Sequence, residues 1–140
     1  MILFYNFKKN FKKQPTMSVK LSPIIAGVMN WGVWDKNLNT NEFTHLINLF
    51  IENGITTFDH ADIYGGYTTE ASFGKALSGS KIDRKKIQLI TKCGIQYISE
   101  NRPNNSIKHY EYSKDYIIWS AENSLKNLQT DYLDVFLLHR

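Results

Sequence analysis

The sequence predicts an α/β fold built from repeated strand–helix units, and three observations predict it. Four short apolar runs end near residues 29, 58, 92 and 139. Between them lie segments whose apolar residues recur at helical spacing. Each connection is long enough to cross over and leave successive strands parallel. At 140 residues, with 42% hydrophobic and 21% charged, the chain fits one domain with a real core.

The first strand is the run Ile24 to Met29 after Pro23, and it ends in an aromatic loop with Trp31 and Trp34. Asn39, Thr40 and Asn41 offer capping oxygens to a helix whose stripe is Phe43, Leu46, Ile47, Phe50 and Ile51. Gly54 stands where such a helix ends. Ile55 to Phe58 form the second strand, followed at once by a polar cluster, DHADIYGGY. Thr68 or Thr69 is expected to cap a short helix with Ala71, Phe73, Ala76 and Leu77 on its apolar side, and Asp83 opens a further turn. The third strand is Ile87 to Lys92. Residues 94 to 112 read as a long polar loop, a length often tied to function. Ser113 caps a helix bearing Ile117, Ile118, Ala121, Leu125 and Leu128, Thr130 and Asp131 turn the chain, and Leu133 to His139 form the fourth strand.

Charge narrows the function. Lys8, Lys9, Lys12 and Lys13 lie in an acid-free opening segment and account for the whole net charge of +4. The remaining thirteen of the 17 basic residues are matched by 13 acidic ones, so the folded part has no basic excess for nucleic acid. Residues 1–16 read as a disordered basic tail, with Met17 as an alternative start and residues 17–140 as the folded unit. The opening segment lacks the order of a secretory signal, and no later stretch has the ~20 apolar residues of a membrane span. The single Cys93 allows no intrachain disulfide and suits a cytoplasmic setting.

Active sites of parallel α/β folds gather at the C-terminal ends of the strands. Asp59, Lys92 and His139 each end a different strand, and Tyr64 follows Asp59 by five residues. Tyrosine titrates near pH ~10 in isolation, and a neighbouring ammonium stabilises its phenolate. A carboxylate beside the lysine fixes its place, and a neutral histidine donates to a substrate oxygen. Together these groups suit protonation of a carbonyl that is receiving hydride.

ITTFDHADIYGGY, ITKCG and DYLDVFLLHR resemble the three signature segments of the aldo-keto reductases, a (β/α)8-barrel family that uses NADPH. DHADIYGGY, the later HY and the SAENSL helix resemble a bacterial oxidoreductase subfamily in particular. The likeness runs over residues 21–140. It implies that Tyr64 is the general acid in reduction of an aldehyde or ketone, that Lys92 tunes it, that Asp59 pairs with Lys92 and that His139 orients the carbonyl. Trp31 and Tyr67 are implied as pocket walls, and the backbone of Gly27, Val28 and Met29 as neighbours of the nicotinamide.

Taken singly, each of these residues has a plainer explanation. Asp59 could be a turn cap, Tyr64 a loop aromatic, Lys92 a solvated strand end and His139 a core histidine; jointly, at this spacing, they read as a site. Cys93 reads as a small buried hydrophobe, His60 and Asp62 as groups that shape the loop, Gly65 and Gly66 as a sharp turn, and His45 and His109 as surface residues. A metal site on Asp59, His60 and Asp62 lacks ligands on the neighbouring strands, and Phe73 to Ala76 fails the phosphate-loop pattern. No metal is expected.

A complete barrel of this kind needs about 250 residues. The chain is therefore expected to be the N-terminal half of a (β/α)8 TIM barrel, a truncated reductase with most of its NADPH grip outside it. The alternative function is a non-catalytic remnant or assembly partner. Unpaired first and fourth strands point to self-association or a complementing C-terminal half as partners.

Overall fold

The computed structural model describes residues 18–140; the tail expected over residues 1–16 lies outside them. Along the chain run β1 (Ile25–Gly27), α1 (Thr40–Glu52), β2 (Thr57–Asp59), α2 (Tyr64–Tyr67), α3 (Thr69–Ser78), a 3-10 turn (Arg84–Lys86), β3 (Gln88–Cys93), β4 (Ile95–Gln96), β5 (His109–Tyr110), α4 (Lys114–Leu128) and β6 (Val135–Leu138). The strands β1, β2, β3 and β6 form one parallel sheet in that order. Its register sets Gly27 beside Asp59 and Lys92 beside Leu137, so the C-terminal ends of the strands lie together.

The side chains sort as strand alternation requires. Ala26, Phe58, Leu89 and Phe136 are buried with Phe43 and Ile47 of α1, Phe73 of α3 and Leu128 of α4. Each fully buried large side chain contributes roughly 1.5–3 kcal/mol. Gly74 lets α3 approach α4 closely, because a Cβ there would overlap the Asn127 carbonyl and the Leu128 backbone.

Helix starts follow local hydrogen bonding. The Asn39 side chain accepts from the Asn41 and Glu42 N–H groups at 2.9 and 3.1 Å, and the Glu42 carboxylate accepts from the Asn39 N–H at 2.7 Å. That reciprocal pair is a capping box. Asp83 accepts from the Lys85 N–H, and Ser113 from the Tyr116 N–H. At α3 the expected threonine cap is not made. The Thr68 hydroxyl instead donates back to the Gly65 carbonyl at 2.7 Å, which serves the turn before the helix.

Two further expectations change. β1, β2 and β6 are shorter than their apolar runs, because residues such as Ile24 and Ile55 flank the ladders without entering them, while β3 keeps the length of its run and is shifted by one residue to end at Cys93. The stretch 94–112 is not wholly loop, since β4 and β5 pair antiparallel, Ile95 with Tyr110 and Gln96 with His109.

Candidate active site

The ladder hydrogen bonds continue past β2 into the polar cluster. The His60 N–H donates to the Ile90 carbonyl and the Asp62 N–H to the Lys92 carbonyl, at 2.8 and 3.0 Å. The chain then turns through Gly65 and Gly66 at φ 60° and 62°. Glycine adopts this left-handed region at little cost, and at Gly65 a Cβ would also strike Thr69.

This path sends the side chains of the cluster to separate destinations. Asp59 meets Lys92, whose ammonium lies 2.8 Å from its carboxylate. His60 is fully buried, edge-on to Phe73 with ring centroids 4.4 Å apart. Burial, then the Lys92 charge, pushes its imidazole down to about 3, so it stays neutral. Asp62 turns toward α4, where the Tyr116 and Ser120 hydroxyls donate to it at 3.1 and 3.2 Å. Burial pushes the Asp62 carboxyl up to about 7, helped by the nearby Glu70 charge. The three side chains do not converge on a common metal position.

Lys92 is the centre of the site. Besides Asp59, its ammonium donates to the His60 carbonyl at 2.7 Å and to the Tyr64 phenol oxygen at 3.4 Å. His139 follows β6 directly and is anchored by its N–H to the Cys93 carbonyl at 2.7 Å. Its ring stands edge-on to Tyr64, with centroids 6.3 Å apart. Burial, then the Lys92 charge, holds the His139 imidazole below its ordinary range, and Asp59 opposes that shift. Asp59, Tyr64, Lys92 and His139 thus come together from three strand ends and one turn.

The other named residues divide. Gly27 lies beside Asp59 in the ladder, and the Val28 N–H donates to the Asp59 carbonyl at 3.1 Å. The Val28 side chain is buried, while Met29 is 44% exposed. Trp31 lies in the core, stacked on Phe50 at 5.7 Å and edge-on to Phe43, instead of at the mouth of the site. Tyr67 is buried and braces the long loop, its hydroxyl accepting from the Tyr97 N–H at 2.7 Å. The aromatic group beside Tyr64 is Trp34 of the first loop, which the sequence does not single out as a wall, and Tyr97 of the long loop stands behind it. Trp34 is 40% exposed and 6.3 Å from Tyr64, and Tyr97 is 39% exposed and 5.8 Å from Trp34. Cys93 is buried, with burial pushing its thiol up to about 12, which suits a packing role.

Parallel strands joined by helices, with Asp59, Lys92 and His139 at the C-terminal ends and Tyr64 on the turn after β2, make an α/β unit whose polar cluster lies at one end of the sheet. The model of the aldo/keto reductase family matches residues 23–140, and the chain belongs to that family. It is 48% identical over 122 residues to YcsN, an uncharacterised oxidoreductase of Bacillus subtilis, covering 87% of this chain and 40% of that protein. It is 38% identical to the 6-dehydroglucose reductase of Agrobacterium fabrum, covering 87% and 41%. Among solved structures, the holo form of a Bacillus halodurans aldo-keto reductase matches with a TM-score of 0.71 and 31% identity, covering 89% of this chain and 38% of that one. The chain therefore spans about two fifths of the length of these relatives, and its fold is the corresponding part of their (β/α)8 barrel. Among the described residues no helix is long and apolar enough to cross a membrane.

Proposed function

We propose that the chain carries the catalytic face of an NADPH-dependent oxidoreductase that reduces aldehydes and ketones to alcohols. The observation that carries this reading is the placement of one ammonium, Lys92 Nζ, 2.8 Å from the Asp59 carboxylate and 3.4 Å from the Tyr64 hydroxyl. A phenol in that position can give its proton to a carbonyl oxygen while the lysine stabilises the phenolate left behind. Asp59 holds the lysine in place. His139, kept neutral, orients the carbonyl by hydrogen bonding.

The residues present suit the reacting end of a nicotinamide. A Cβ on Gly27 would meet nothing within 4 Å, so the ladder beside Asp59 borders open space, and Met29 is exposed next to it. Gly27, Val28 and Met29 would line that end through backbone and thioether. When bound, NADPH supplies the hydride. Trp34 and Tyr97 replace Trp31 and Tyr67 as the proposed walls of the substrate pocket. The name of the Agrobacterium relative makes 6-dehydroglucose the first carbonyl to try. The edges of β1 and β6, with Ile25 and Leu138 exposed, suit pairing with further βα units. A cytoplasmic location, in keeping with the buried free thiol of Cys93, completes the proposal.

The test uses residues 18–140 joined to the C-terminal part of YcsN, with NADPH consumption followed in the presence of a simple aldehyde. Tyr64→Phe is expected to abolish turnover while leaving the melting temperature near that of the parent. Undiminished turnover in Tyr64→Phe would remove the role assigned to the phenol.

A further inference from the structure

Behind the catalytic turn lies a polar cluster that the proposed chemistry does not use. Asp62 is 6% exposed, and its backbone is tied to the Lys92 carbonyl. One carboxylate oxygen accepts from Tyr116 and Ser120 of α4; the other is buried with no partner among the described residues. Nearby, Glu70 of α3 is 2% exposed and accepts from the Thr91 hydroxyl at 2.6 Å, one residue before Lys92. Placing two acids in the interior is costly, and these hydrogen bonds offset part of that cost.

What needs holding is the turn. Gly65 and Gly66 permit its left-handed path but, being permissive, do not enforce it. Downstream, Tyr67 is braced by the Tyr97 N–H. Upstream, the only side-chain hydrogen bonds from residues 61–63 to a helix are those of Asp62 to α4, among the described residues.

We propose that Asp62 is a positioning residue: through Tyr116 and Ser120 it pins the catalytic turn to α4 and so sets the reach between the Tyr64 phenol and the Lys92 ammonium. Its effect on turnover rests on the reductase reading; its effect on Tyr64 does not. The groups facing Asp62 are Glu70 from α3, Tyr116 and Ser120 from α4, Cys93 from β3 and Tyr67 from the turn. The raised carboxyl lets the tie respond to pH near neutrality.

The experiment labels the tyrosine ring carbons of the full chain with carbon-13 and assigns Tyr64 by its loss in Tyr64→Phe. Tyr116→Phe with Ser120→Ala removes both donors and leaves the carboxyl side chain in place. The Tyr64 signal is expected to shift in that double variant, and to show a step near pH about 7 in the wild type that Asp62→Asn abolishes. In the barrel chimera with YcsN, the double variant should lose about tenfold to a hundredfold in kcat with KM held within about twofold. A Tyr64 signal and pH course unchanged in the double variant, with the melting temperature preserved, would overturn the proposal. A shifted Tyr64 signal in a chimera that consumes no NADPH would sustain the positioning role and remove the reductase reading.

Discussion

Two ion pairs close on opposite ends of strand β3, and their surroundings set them apart. At its N-terminal end Arg84 meets Asp134 at 2.7 Å; at its C-terminal end Lys92 meets Asp59 at 2.8 Å. Both are largely screened from water, with side-chain exposures of 18% and 15% in the first and 15% and 28% in the second. The surroundings separate them. The Arg84 guanidinium also donates to Thr130, to the Ile87 carbonyl and to the Tyr132 carbonyl, and lies 4.0 Å over the Tyr132 ring. Asp134 in turn accepts from the Leu89 N–H at 2.9 Å. That pair is closed on all sides, and it joins the starts of β3 and β6. Lys92 has a compact charge, and one of its contacts is a phenol that carries a transferable proton. A planar fork held by backbone and side-chain oxygens on every side builds structure, and an ammonium beside an ionisable hydroxyl can do chemistry. In barrels of this kind catalysis gathers at the C-terminal ends of the strands, the end at which the proposed site lies.

The largest effect on folding should come from breaking the closed pair. Arg84→Met leaves Asp134 charged and part-buried, and is expected to cost about 3–5 kcal/mol, read from denaturant unfolding. Turnover per folded chimera should stay near the parent's. A loss of turnover without a loss of stability would erase the distinction between the two ends.

A second effect comes from the acids behind the site. In the folded chain the Asp62 carboxyl is pushed up to about 7 from an ordinary 3.8, so folding prefers its protonated form. That contribution is fully present below the unfolded value and is lost as pH rises through about 7. Glu70, also raised by burial, acts in the same direction. Between about pH 5 and about pH 8 the wild type should therefore lose more melting temperature than Asp62→Asn. A larger loss in Asp62→Asn would show that Asp62 is ionised at little cost.

The smallest effect is a control remote from both pairs. Asn39→Ala removes the capping box of α1 and should cost about 1 kcal/mol while leaving turnover unchanged. A change in turnover there would mean that any loss of stability reaches the catalytic end.

Much of this division was legible in the sequence, for physical reasons that particular residues show. Asp59, Lys92 and His139 could be placed because each ends an apolar run, and Tyr64 because it lies five residues beyond Asp59. A cap among Asn39, Thr40 and Asn41 could be read because capping is local, and the structure selects Asn39 with Glu42 as its partner. Trp31 and Trp34 could not be told apart, since both sit in one aromatic loop and only packing against Phe43 and Phe50 draws the first inward. The tie from Asp62 to Tyr116 crosses 54 residues, and no local pattern reports it. The β4–β5 pairing was missed because two-residue strands carry too little alternation to register.

The most direct test of the difference between the two ends is turnover of the Lys92→Met chimera, normalised to folded protein. Removing the ammonium leaves the Tyr64 phenolate without its stabilising charge, and we predict a fall of at least about a hundredfold. Retention of the parent's turnover in folded Lys92→Met would contradict the assignment of chemistry to the C-terminal pair.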